Sequence, residues 1–93
     1  MRLRFGTFMA PFHPPEHNPT LSLEQDLDLI QHMDALGFDE AWIGEHHSAG
    51  SEIIASPEIF MMAAAERTRT IKLGTGMVSL PYHNPLWVAE RIV

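Results

Sequence analysis

The sequence contains no cysteine in its 93 residues, which excludes disulfides and thiolate metal sites. No apolar run approaches the roughly 20 residues that a bilayer-spanning helix requires. Positive charge is scarce: six Lys and Arg stand against twelve Asp and Glu, giving a net charge of −6 and a pI near 5.3. Without a basic run, neither a nucleic-acid backbone nor an anionic membrane surface is an expected partner. Met1-Arg2-Leu3-Arg4-Phe5 has two arginines but no apolar stretch behind them, so it does not read as a signal peptide. The expectation is a soluble cytoplasmic protein. What the chain does have is 45% hydrophobic and 19% charged residues, the composition of one small domain with a buried core.

The pattern along the chain alternates. Arg4 to Met9 is short and apolar and reads as a first strand. Ala10 to Thr20 carries Pro11, Pro14, Pro15 and Pro19 and reads as a loop, because proline removes backbone donors and fixes φ. Ser22-Leu23-Glu24-Gln25 has the form of a capping box, so a helix is expected to open at Ser22. Its apolar repeat runs through Leu27, Ile30 and Met33, and Gly37 is the expected stop. A second strand spans Phe38 to Gly44. Ser56-Pro57-Glu58 opens a second helix with a hydroxyl cap, a proline at the first helical position and an acid at the positive end of the dipole. Ile59 to Ala65 is apolar on all sides, which predicts burial on more than one face. A third strand runs from Ile71 to Val78, and Asn84-Pro85 opens a third helix that continues to Val93.

This β-α-β-α-β-α order predicts parallel strands joined by right-handed crossover helices. Three such strands do not close a barrel, which takes about 250 residues. The chain therefore reads as one partial domain, residues 1–93, forming the N-terminal portion of a TIM (β/α)8 barrel. In parallel architectures the C-terminal strand ends carry the chemistry. Here they deliver Met9, then Glu45-His46-His47, then Gly76-Met77, to one side of the sheet. Histidine exchanges protons near neutral pH, and an adjacent acid can orient it or hold it charged.

Three blocks carry a family resemblance: Phe5-Gly6-Thr7-Phe8; Gly37-Phe38-Asp39-Glu40-Ala41-Trp42-Ile43-Gly44-Glu45-His46-His47; and Leu73-Gly74-Thr75-Gly76-Met77-Val78-Ser79-Leu80-Pro81 with Asn84-Pro85. In their order and spacing they resemble the bacterial luciferase-like flavin-dependent monooxygenases, with the limonene and alkanal monooxygenase branch the most similar. The resemblance implies a barrel that takes reduced FMN, supplied by a separate flavin reductase, and uses dioxygen to oxidise a small organic substrate. It implies His46 as the proton-transfer residue, with Glu45 and His47 in support, and Met9, Gly76 and Met77 as flavin contacts. A non-proline cis bond at Gly76–Met77 is implied as well, and so is a homo-oligomer for the full-length enzyme. Two alternatives stand beside this reading: a deazaflavin (F420) oxidoreductase on the same barrel, and a truncated, non-catalytic fragment. The segments that bind flavin phosphate in the family lie downstream of these blocks.

Other motifs carry less. His13-Pro14-Pro15-Glu16-His17 has the letters of a zinc motif that needs a helix. Pro14 and Pro15 preclude that helix, so no metal is expected and the segment reads as a solvated lid loop. Gly74-x-Gly76 falls short of a dinucleotide fingerprint, because Ser79 stands where the third glycine belongs. Phe60, Met61 and Met62 read as core or subunit interface, Trp42 as core, and His32 and His83 as surface and loop histidines.

Overall fold

The computed structural model describes residues 1–92. The elements follow the expected alternation: β1 (Gly6–Met9), α1 (Pro19–Leu36), β2 (Glu40–Ile43), α2 (Pro57–Ala65), β3 (Lys72–Thr75), a 3₁₀ turn (Leu80–Tyr82) and α3 (Pro85–Ile92). The three strands are parallel in the order β1-β2-β3, with Phe8 opposite Trp42 and Trp42 opposite Gly74. The last position of the expected third helix, Val93, lies outside the described residues.

Alternation along the strands sorts the side chains onto two unlike faces. Met9, Ala41 and Ile43 point toward the helices and join Leu27, Ile30, Met33, Phe60 and Ala64 in one buried cluster. Phe8 and Trp42 fall on the opposite face, away from that cluster. Trp42, expected in the core, is therefore 44% exposed, and its Nε1–H donates to Glu40 Oε2 at 3.2 Å. Gly74 lies beneath it: a β-carbon there would stand 2.9 Å from the indole.

The start of α1 differs from the sequence expectation. Ser22 is buried within the helix at 2% exposure, and the cap is Asn18. Its Oδ1 accepts from the backbone N–H groups of Thr20 and Leu21 at 3.0 and 3.3 Å. Asn18-Pro19 thus supplies a capping side chain followed by a proline whose missing donor costs nothing at the first turn. At the other end Gly37 adopts φ 84°, a left-handed conformation that favours glycine. The N–H of Phe38 then reaches Met33 O at 3.0 Å, closing the helix as expected.

Helix α2 begins after Ser56, whose hydroxyl makes no capping bond. Its backbone carbonyl instead accepts from Ile59 and Phe60 N–H. The helix buries Phe60 and Ala64 while Ile59 and Met62 stay 70% and 63% exposed, so only one face is covered within this chain.

Asp34, near the end of α1, ties that helix to the turn entering β3. Its carboxylate accepts from Thr70 Oγ1 and from the backbone N–H groups of Arg69, Thr70 and Ile71 at 2.7–3.0 Å. The Thr70 hydroxyl and then the Ile71 and Arg69 amides hold the carboxyl at about 2, below its ordinary 3.8. A depressed carboxyl stabilises the fold at pH values above its unfolded value and loses that contribution as pH falls through the folded value. Denaturant midpoints should accordingly fall between pH 4 and pH 2. Asp34→Asn should lower the midpoint at neutral pH and flatten that acid dependence; an unchanged neutral midpoint would remove Asp34 from this role.

Candidate functional site

The hydrogen-bond ladder continues one step past each strand. Gly44 N–H reaches Met9 O and Gly76 N–H reaches Ile43 O, both at 2.7 Å. Beyond these bonds the three chains part and open a cleft of about 410 Å3 at the C-terminal ends of the strands. Phe8, Ala10, Ile54, Met77 and Tyr82 supply its apolar lining, and Glu45, His46, His47 and Glu52 its titratable groups. The volume suits a small-molecule site, which typically combines apolar walls with a few placed polar groups.

Glu45 is the hub. It is 4% exposed, a burial that an isolated carboxylate would resist. Its Oε1 accepts from His47 Nε2 at 2.5 Å and from His83 Nε2 at 2.6 Å, and its Oε2 accepts the Ser79 N–H at 3.1 Å. Burial pushes the carboxyl up, but the bonds from His47, His83 and Ser79, with the His83 charge, outweigh it and the net direction is down. The His47 ring also packs on Tyr82 with centroids 4.5 Å apart.

His46 does not share this hub. Its side chain is 55% exposed and its Nε2 lies 2.6 Å from Glu52 Oε2. The expected trio of Glu45, His46 and His47 thus separates into two pairs: successive residues leaving a strand point to opposite sides, so Glu45 reaches His47 and not His46.

The remaining sequence candidates divide in the same way. Met77 lines the cleft. Met9 lies in the core at 5% exposure, because the alternation that exposes Phe8 turns its neighbour toward the helices. Gly76 lies under Phe8, and a β-carbon there would stand 2.4 Å from the ring; the glycine makes room for an aromatic wall. The Gly76–Met77 bond is trans, as are all peptide bonds among the described residues.

Most of the proline loop is exposed, as expected of a solvated segment, but His13 is not. His13 is docked: its Nε2 lies 2.9 Å from Asp26 Oδ2 on α1, with side chains 14% and 7% exposed, and its N–H reaches Ser51 O at 2.7 Å. Burial pushes the Asp26 carboxyl up, and His13 pulls against that rise. The contact that sequence reading does not foresee is that of His83, expected near the mouth as a loop histidine, with Glu45. The available signal was topological: the segment after β3 emerges on the same side as Glu45, and the 3₁₀ turn Leu80–Tyr82 folds it back.

Comparison with known proteins follows the same geometry. A family model described as luciferase-like monooxygenase matches residues 3–93. Limonene 1,2-monooxygenase of Rhodococcus erythropolis is 58% identical over 99% of this chain and 24% of its own length. The 4-hydroxyprotoasukamycin monooxygenase of Streptomyces nodosus subsp. asukaensis is 56% identical over 99% of this chain and 25% of its own length. Among solved structures, the oxygenating constituent of 3,6-diketocamphane monooxygenase of Pseudomonas putida, a type II Baeyer-Villiger enzyme in complex with FMN, superposes with a TM-score of 0.89. It is 27% identical, over 98% of this chain and 25% of that one. The chain therefore spans about a quarter of the length of the relatives it matches, and its fold is a part of their barrel.

Proposed function

The chain belongs to the luciferase-like monooxygenase family, and on that premise we propose that the enzyme carrying it uses reduced FMN and dioxygen to oxidise a small, largely apolar organic molecule. The observation that carries this reading is the cleft where all three strands end, with an apolar lining and two carboxylate-tethered imidazoles. Phe8, Ala10 and Met77 offer an apolar surface for the face or edge of a flavin ring. The fit extends to the ring and not to the phosphate, since neither Lys nor Arg is among the residues lining the cleft. Bound there, the reduced flavin supplies the electrons that activate oxygen, and the protein positions it and excludes water.

The chain's own residues handle protons. A carboxylate only accepts hydrogen bonds, so Glu52 and Glu45 hold His46 and His47 as donors at Nε2 and leave each Nδ1 as the nitrogen that can accept. His46, on the exposed side of the cleft, gives or takes the proton through that Nδ1. Glu45 and His47 stand behind it, and the His47 Nδ1 completes the proton path. A separate reductase supplies the reduced flavin, and the exposed Ile59 and Met62 of α2 contribute to a homo-oligomeric contact in the full-length enzyme.

Oxygen uptake by the intact enzyme with reduced FMN and a terpene or cyclic ketone tests the reading. Substrate-dependent oxygen consumption with an oxygenated product supports it. Hydride transfer from an alcohol to a deazaflavin, without oxygen uptake, would overturn it.

A further inference from the structure

We infer that His83 is a positioning residue, which fixes Glu45 and through it the tautomer of His47, so that the loop after β3 sets the geometry of the imidazole presented by the loop after β2. This inference rests on the monooxygenase reading for its kinetic consequences, and on the hydrogen-bond geometry alone for its spectroscopic ones.

The argument begins with how Glu45 is satisfied. Three hydrogen bonds reach its carboxylate, and two of them, from His83 Nε2 and Ser79 N–H, come from the β3 loop. Only the third, from His47, is local. The same loop supplies Tyr82, on which the His47 ring stacks. His47 is thus held on one side by an aromatic ring and at Nε2 by a carboxylate, and both holds depend on the β3 loop. Both imidazoles converge on the single atom Oε1, with ring centroids 6.1 Å apart in an edge-on arrangement. A buried carboxylate held by three donors loses part of that hold with each donor removed.

The three ligand atoms of Glu45, His47 and His83 lie within 4.8 Å of one another, a spacing that could embrace a cation. Hydrogen bonding accounts for the distances better. Ligands on a tetrahedral zinc with bonds of roughly 2.0–2.2 Å stand about 3.3 Å apart, whereas both N···O contacts here are 2.5–2.6 Å. The Ser79 N–H occupies the second carboxylate oxygen as well.

Loss of His83 removes one of the bonds that hold the Glu45 carboxyl down, so Glu45 takes up its proton at higher pH. His47 then loses the acceptor that keeps its proton on Nε2. The other groups around the cluster are Tyr82 and the Ser79 amide on the β3 loop, His46 with Glu52 across the cleft, and the Glu58–Arg91 ion pair between α2 and α3.

The test uses the intact enzyme with His83→Phe and His83→Gln, the second keeping an N–H donor near the position of Nε2. His83→Phe should lower kcat about 10- to 100-fold, the scale of a misplaced catalytic group. It should also move the acid limb of the kcat profile to higher pH and leave KM and flavin affinity near wild type. His83→Gln should recover much of the loss. Long-range 1H–15N spectra of histidine-labelled protein should show His47 as the Nε2–H tautomer in the wild type and as a mixture in His83→Phe. The inference is overturned by an unmoved pH limb, by equal loss in both variants, or by activity that falls on chelation and returns with zinc. If the wild type consumes no oxygen with reduced FMN, the monooxygenase reading fails while the tautomer spectra still decide the role of His83. A His47 tautomer indifferent to His83→Phe rejects that role with the monooxygenase reading intact.

Discussion

Glu45→Ala is expected to reduce turnover by roughly 10²- to 10³-fold, within the range contributed by a positioned acid–base unit. The expectation follows from the number of groups that depend on this one carboxylate. His47, His83 and the Ser79 N–H all lose their acceptor at once. Each part-buried donor left unpaired costs about 1–3 kcal/mol, so the melting temperature should fall together with kcat. Glu45→Gln separates charge from shape. The amide fills the same space, but it accepts through one oxygen only and turns an N–H toward the Ser79 N–H or toward the imidazoles. It should therefore remain impaired in turnover while recovering part of the stability. Because the carboxyl is held below its ordinary range, its bonds are intact above that range and are lost as pH falls through the depressed value. The part of the rate that depends on these Glu45 bonds should accordingly be lost only as pH falls through that lowered value. A Glu45→Gln enzyme with wild-type kcat and stability would contradict the hub.

His46→Ala should reduce turnover by about 10²-fold or more if His46 is the acid or base, with flavin affinity largely unchanged. This side chain is half exposed and touches Glu52 rather than the buried hub, so its loss should leave the melting temperature near that of the wild type. That contrast with Glu45→Ala is diagnostic: one variant should lose activity alone, the other activity and stability together. Glu52→Gln should have a smaller effect than His46→Ala, since the amide oxygen can still accept from Nε2–H. Unchanged turnover in His46→Ala would move the proton-transfer role to His47, whose Nδ1 is equally free of the carboxylate.

Much of this arrangement was legible in the sequence because helix and strand periods differ so sharply. The alternation of elements, the parallel sheet, Gly37 as a helix stop and the convergence of strand ends all follow from local pattern and from topology. Two of the differences share a physical origin in which side of an element a residue faces. Met9 and Phe8 are adjacent, and only the register of β1 against β2 decides that Phe8 borders the cleft and Met9 the core. Trp42 looks like a core residue by composition, yet its parity places it on the face away from the buried cluster. Ser22 satisfies a capping motif, but Asn18-Pro19 lies earlier in the chain and starts the helix first. The bond from His83 to Glu45 joins residues 38 apart, a separation that no local motif spans. His13 shows the complementary point: prolines that forbid a helix still permit a loop residue to dock, here onto Asp26.

The measurement that tests the central claim most directly is amide hydrogen exchange on the intact enzyme, with and without reduced FMN under anaerobic conditions. If these three strand ends form the wall of the flavin site, exchange should slow on binding in segments 8–11, 44–48 and 76–83, and change little along the outer face of α1. Unaltered exchange in those three segments, with protection confined to other parts of the enzyme, would contradict it.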